Sequence, residues 1–142
     1  MDSIEFPESL QVIGKSLFDG CTSLTTVNVP SSVKEICNHA FECCQSLVEV
    51  QLSEGLERIC KEAFFGCSNL KHVNKLPSTL KEIGDEAFAC CRSLDSIEFP
   101  KGLQVIGKWA FKVCKSVGCV RSYLYAMPHL PYFPAFNVKI SQ

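Results

Sequence analysis

Apolar residues recur along this chain at a long, fixed interval. Phenylalanines stand at Phe18, Phe41, Phe64, Phe88 and Phe111, and cysteines three places after each, at Cys21, Cys44, Cys67, Cys91 and Cys114. The spacings are 23, 23, 24 and 23 residues in both series. A period in the twenties built on apolar anchors predicts a solenoid of stacked units, because one such unit cannot bury its apolar face alone. The clearest copy is 80–100, LKEIGDEAFACCRSLDSIEFP.

Each unit divides into three pieces. Leu-x-x-Ile (Leu80, Ile83) reads as a short extended segment with its middle residues outward. Ala-Phe-x-x-Cys (Ala87, Phe88, Cys91) reads as one helical or 3₁₀ turn, since residues three apart share a face. In Leu-x-x-Ile-x-Phe-Pro (Leu94 to Pro100), Ile97 and Phe99 alternate with Ser96 and Glu98, the period of a half-buried strand. Proline closes it. Five units follow: 8–30, 31–53, 54–77, 78–100 and one opening at 101. The third carries an extra residue near Asn74 and Lys75, expected as a β-bulge. Residues 95–100 repeat the start of the chain at 2–7, which therefore reads as the closing strand of a preceding unit. That uncapped strand edge is a candidate for self-association.

The pattern Leu-x-x-Ile-Gly-x-x-Ala-Phe-x-x-Cys-x-x-Leu-x-x-Ile-x-Phe-Pro resembles the BspA-like (Treponema pallidum-type) leucine-rich repeat. Residues 80–100 match at every anchor. Departures are Leu17 in the alanine column, Cys37 and Cys60 in a glycine column, and Val113 in a small-residue column. The resemblance implies an α/β-type leucine-rich-repeat solenoid, a right-handed superhelix of short parallel strands. It implies binding and adhesion rather than catalysis, with surface display in bacteria and protists, and brings no catalytic residues. The domain reading is a solenoid over 1–117 and a non-repeat tail over 118–142. The tail is rich in Tyr, Phe and Pro, and is expected to be poorly ordered or a partial cap.

Charge changes the picture little. Fourteen basic and fifteen acidic residues give a net charge of −1, which argues against a nucleic-acid binder. The first fifteen residues have neither the basic nor the apolar region of a signal peptide. No apolar run reaches 18 residues, so membrane insertion is not expected. Ten cysteines suggest a disulfide framework at first sight. Most, however, occupy repeat columns: the ladder itself, the glycine column (Cys37, Cys60), and the column of Gly20 and Gly66 (Cys43, Cys90). There they read as small buried residues. Parallel Cβ vectors between stacked units disfavour bridges, so the thiols read as free. That favours a cytoplasmic setting, with the cell surface as the alternative.

Candidate chemistry is sparse. Cys37, His39, Cys43 and Cys44 lie within eight residues and pose a zinc reading. Against it, each position has a structural role in other units, so no metal or cofactor is assigned. A Cys/His nucleophile pair would involve His72, toward which no ladder cysteine points. The outward strand positions form two polar columns: Ser3, Thr26, Glu49, His72, Ser96 and Glu5, Asn28, Gln51, Asn74, Glu98. Of these, Thr26, Asn28, Glu49, Gln51, His72, Asn74, Ser96 and Glu98 are the candidate interaction surface. They carry none of the Trp, Tyr and Arg that binding hot spots favour. The other strand alternates charge at Lys34-Glu35, Glu57-Arg58 and Lys81-Glu82, suited to weak ion pairs between units. The function read from the chain is a non-enzymatic protein–protein interaction module. The alternatives are a fragment of a surface adhesin and a thiol-based redox or enzymatic role.

Overall fold

The computed structural model describes residues 3–114. The tail expected at 118–142 lies outside the described residues, as does Asp2 at the start of the expected self-association edge.

Nine short strands are described, β1 (Ser3–Ile4), β2 (Val12–Ile13), β3 (Thr26–Asn28), β4 (Glu35–Ile36), β5 (Glu49–Gln51), β6 (Arg58–Ile59), β7 (His72–Val73), β8 (Glu82–Ile83) and β9 (Val105–Ile106). The first eight alternate between two parallel sheets, and β9 joins the second: β1-β3-β5-β7 and β2-β4-β6-β8-β9. The first sheet is continued by a parallel bridge from His72 to Ser96. Registers follow the repeat period. Val27, Val50 and Val73 stand in one row, and Ile13, Ile36, Ile59, Ile83 and Ile106 in another. Their side chains point into one continuous core.

A third wall closes the core, and here the structure corrects the sequence reading. The Ala-Phe-x-x-Cys segments are serial turns, not a helical or 3₁₀ turn. In a 3₁₀ turn every N–H would bond three residues back. Here only alternate ones do: Ala40 to Cys37, Glu42 to His39 and Cys44 to Phe41. The intervening N–H groups of His39, Phe41 and Cys43 donate to Lys61, Ala63 and Phe65 of the next unit. This wall is thus a third inter-unit ladder, with Phe18, Phe41, Phe64 and Phe88 donating to Ala40, Ala63, Ala87 and Ala110, each at 2.8 Å.

The geometry requires left-handed residues at two points per unit. One column holds Ser16, His39, Glu62, Glu86 and Trp109, and the other Gly20, Cys43, Gly66, Cys90 and Val113, all at positive φ. Glycine at 20 and 66 therefore answers a backbone need. Cys43 and Cys90 are not the buried small residues expected there; both are half-exposed and adopt the strained conformation in glycine's place. Cys37 and Cys60 are also half-exposed rather than buried. Their column does favour glycine at other units: a Cβ on Gly84 would lie 2.6 Å from the Lys61 nitrogen.

The phenylalanines stack. Successive rings from Phe18 to Phe111 lie 5.2–5.3 Å apart, and from Phe41 onward they are within 6° of parallel. Phe6 and Phe99 meet Phe18 and Phe111 edge-on. The cysteine ladder runs beside the rings. The thiols of Cys44, Cys67, Cys91 and Cys114 donate to the carbonyls of Phe18, Phe41, Phe64 and Phe88 of the preceding unit, at 2.9–3.2 Å. Each of those carbonyls already accepts a turn N–H, and the thiol occupies its second lone pair. Cysteine is thus the donor of a repeated bond as well as a small core residue.

Candidate interaction surface

The outer face of the first sheet is built by the strand alternation. Inward Val27 and Val50 fix the register, so their neighbours must point outward. Ser3, Thr26 and Glu49 stand in line with His72 and Ser96, and Asn28 pairs with Gln51. Gln51 donates to the Glu49 carboxylate at 2.8 Å. Six of the eight expected residues are therefore brought together as two adjoining columns.

Asn74 and Glu98 depart from them. The structure shows no simple bulge at the extra residue: β7 ends at Val73. The Asn74 side chain takes over the lost pairing, its Oδ1 accepting from the Leu52 N–H at 2.7 Å and its Nδ2 donating to the Leu52 carbonyl at 3.0 Å. An asparagine amide reproduces a peptide's donor and acceptor, so it extends the ladder by one rung with a side chain. Asn74 is thereby committed to Leu52 rather than offered to a partner. Beyond it the chain carries Lys75 outward and returns Leu76 to the core.

That detour opens a cleft of about 720 Å³ lined by Glu54, Lys75, Leu76, Ser78, Glu98, Phe99, Pro100, Lys101 and Gly102. Its charged walls alternate in sign. Glu54 accepts from the Ser78 N–H at 3.0 Å and hydroxyl at 2.7 Å, and these bonds to the ionised form hold its carboxyl below the usual range. Sequence reasoning placed Glu98 on the surface but missed Lys75, Glu54 and Lys101 as its neighbours. The available signal was the extra residue itself, which displaces one unit's corner from the next.

The second sheet shows one of the expected inter-unit ion pairs, Arg58 to Glu35 at 3.2 Å. The same Glu35 carboxylate accepts from Cys60 at 3.3 Å and lies 3.7 Å from Cys37. Burial, reinforced by this carboxylate, pushes Cys60 up to about 12 and raises Cys37. The ladder thiols move the same way: burial pushes Cys44 up to about 12, and Cys67 and Cys91 well above the ordinary value.

The zinc set posed by the sequence is not assembled. Cys44 faces the core and Phe18, while Cys37 faces Glu35. His39 turns instead to two residues the sequence reading did not single out, Glu42 at 2.6 Å and Glu62 at 3.4 Å. Among the described residues no helix is long and apolar enough to cross a membrane.

Two parallel sheets, a turn ladder and a shared apolar core with a 23-residue period define a leucine-rich solenoid. A family model for the BspA type leucine-rich repeat region matches residues 1–118 in six copies, and the chain belongs to that family. The Phe-Cys period counts five units over the same stretch. A solved leucine-rich repeat protein of T. pallidum is 33% identical with a TM-score of 0.75, over 78% of this chain and 53% of that one. A leucine-rich repeat protein of Eubacterium ventriosum is 32% identical with a TM-score of 0.71, over 80% of this chain and 31% of that one. A leucine-rich cell surface protein of Faecalibacterium prausnitzii shares the fold at 24% identity and a TM-score of 0.53, over 76% of this chain and 36% of that one. The chain thus spans about half the length of the T. pallidum protein and about a third of the other two. Comparison with curated proteins finds no match.

Proposed function

We propose that this chain is a non-enzymatic protein-interaction module whose binding face is the outer side of the first sheet. The observation that carries the reading is the junction of two features. The in-register column Thr26, Glu49, His72, Ser96 runs beside the cleft walled by Lys75 and Glu98. A rigid polar ladder beside a charged recess offers a partner both a flat surface and a place to insert a side chain. A non-enzymatic role is supported by the thiols: a nucleophilic cysteine needs a lowered pKa, and burial raises those of Cys37, Cys43, Cys44, Cys60, Cys67 and Cys91.

A second reading, an adhesion protein displayed at the cell surface, draws on the relatives' greater length. The matched part is 53% of the T. pallidum chain and 31% of the E. ventriosum chain, so such proteins carry more surface than this chain does.

The test is site-specific photo-crosslinking in the source cells, with the probe at Gln51, Lys75 or Glu98 and controls at Lys34 and Lys81, which immediately precede β4 and β8 of the second sheet. One protein captured from the first set alone, and binding the purified chain less tightly after Glu49→Arg, is the expected result. Capture from the controls with equal yield would refute the assignment of the face. Live-cell surface labelling of the same chain separates the two settings.

A further inference from the structure

We infer that His39, Glu42 and Glu62 form a binding site for one divalent transition-metal ion, bridging the second and third units on the turn wall. One ligand atom from each of the three lies within 4.8 Å of the others. The imidazole Nδ1 is 2.6 Å from Glu42 Oε2 and 3.4 Å from Glu62 Oε2. Zinc-type ions hold nitrogen and oxygen ligands at about 2.0–2.2 Å, which for tetrahedral directions separates neighbouring ligands by roughly 3.3–3.6 Å. The His39–Glu62 spacing already fits, and the His39–Glu42 spacing fits after an opening of under about 1 Å.

The backbone holds these groups in place. His39 and Glu62 occupy the same left-handed column one unit apart, at φ of 60° and 55°. Each is fixed by an inter-unit bond, His39 N–H to Lys61 at 3.0 Å and Glu62 N–H to Asp85 at 2.9 Å. Glu42 closes the turn that starts at His39, its N–H donating to the His39 carbonyl at 3.2 Å. All three side chains are half-buried, between 19% and 26% exposed, which leaves an outer side open to water or a further ligand. Lys61 engages only the other oxygen of Glu62, Oε1 at 3.5 Å, so Oε2 stays available.

The fold does not itself demand these residue types. In the His39 column the other units place Ser16, Glu86 and Trp109, and in the Glu42 column Asp19, Phe65, Ala89 and Lys112. An imidazole and two carboxylates converge at one junction of the stack, and it is the sole such convergence among the described residues. One nitrogen and two oxygens suit borderline ions of the Zn²⁺, Co²⁺ and Mn²⁺ kind, as against the soft ions that thiolates select. The site shares His39 with the zinc set of Cys37, His39, Cys43 and Cys44 posed by the sequence, but none of its thiols.

Cobalt is the informative probe, because thiolate ligands give it an intense near-ultraviolet charge-transfer band and nitrogen–oxygen ligands do not. The full chain, reduced with a phosphine, is titrated with Co²⁺ while the visible spectrum and the heat of binding are followed. One equivalent should bind with weak visible bands alone. His39→Asn, chosen because asparagine tolerates the left-handed conformation, and Glu62→Gln should each weaken binding at least tenfold. Cys37→Ser should leave it unchanged. Circular dichroism confirms that the variants fold. The proposal is overturned by unchanged affinity in both His39→Asn and Glu62→Gln, by a thiolate band that disappears in Cys37→Ser, or by no binding at millimolar Co²⁺.

Discussion

Replacing Phe64 by leucine removes two ring stacks while keeping an apolar side chain in the core. Phe64 is fully buried and lies 5.2 Å from both Phe41 and Phe88, within 6° of parallel to each. An aromatic pair contributes about 0.5–1.5 kcal/mol beyond burial, so two pairs contribute roughly 1–3 kcal/mol. Leucine is also smaller by roughly 25 Å³, which at about 24 cal/mol per Å³ adds about 0.6 kcal/mol of cavity cost. The expected loss is therefore about 1.5–3.5 kcal/mol, against the typical 5–15 kcal/mol that holds a domain folded. Urea unfolding measures it, followed by Trp109 fluorescence and far-ultraviolet circular dichroism together. With a slope of about 1–3 kcal/mol per molar, the midpoint should fall by roughly 1 M. The stack itself is isolated by the cycle Phe64→Leu, Phe88→Leu and the double variant, whose coupling should be about 0.5–1.5 kcal/mol. A coupling within about 0.3 kcal/mol of zero, the usual error of additivity, would show that the ladder is burial and nothing more. Divergence of the two probes in the single variant would instead show that the array had split between its units, as nearest-neighbour solenoids can.

Two further outcomes follow from the same geometry. Asn74→Ala deletes both side-chain bonds to Leu52 and leaves a half-buried rung unpaired, at a cost of about 1–3 kcal/mol; hydrogen exchange at the Leu52 amide should quicken, and unchanged protection there would show that the rung is closed by other means. Burial raises the thiols of Cys44, Cys67 and Cys91, so their stabilising contribution is complete below the unfolded thiol value and is lost as pH rises through the folded ones. Each contributes a slope of at most about 1.4 kcal/mol per pH unit, and the fall in urea midpoint between pH 8 and pH 10.5 should be smaller in Cys67→Ala than in the parent chain; equal falls would refute the burial argument.

What was legible in the sequence is what the period alone determines. Equal spacing of Phe18, Phe41 and Phe64 demands stacking, and stacking demands parallel registers such as Val27, Val50, Val73. The expected surface columns followed from that register wherever the spacing stayed at 23 residues. They failed beside the extra residue of the third unit, where an asparagine side chain stands in for a strand. The turn wall was misread for a more general reason. Phenylalanine and cysteine three apart satisfy a 3₁₀ turn and a run of serial turns equally well. The two differ in where alternate N–H groups go, and that is decided by the neighbouring unit rather than by the segment. Gly20 and Gly66 did carry the signal, because glycine in a fixed column marks positive φ as readily as small size. Reading Cys43, Cys90 and Val113 in that column as a backbone substitution would have predicted their exposure. The His39 site was hidden by the same habit of reading along the chain. Glu42 follows at three residues and Glu62 at one full period, so the cluster is visible only when the units are written one above another and their outward columns compared. In a solenoid the residues that meet are those separated by the repeat, and a search for chemistry within short windows looks in the wrong direction.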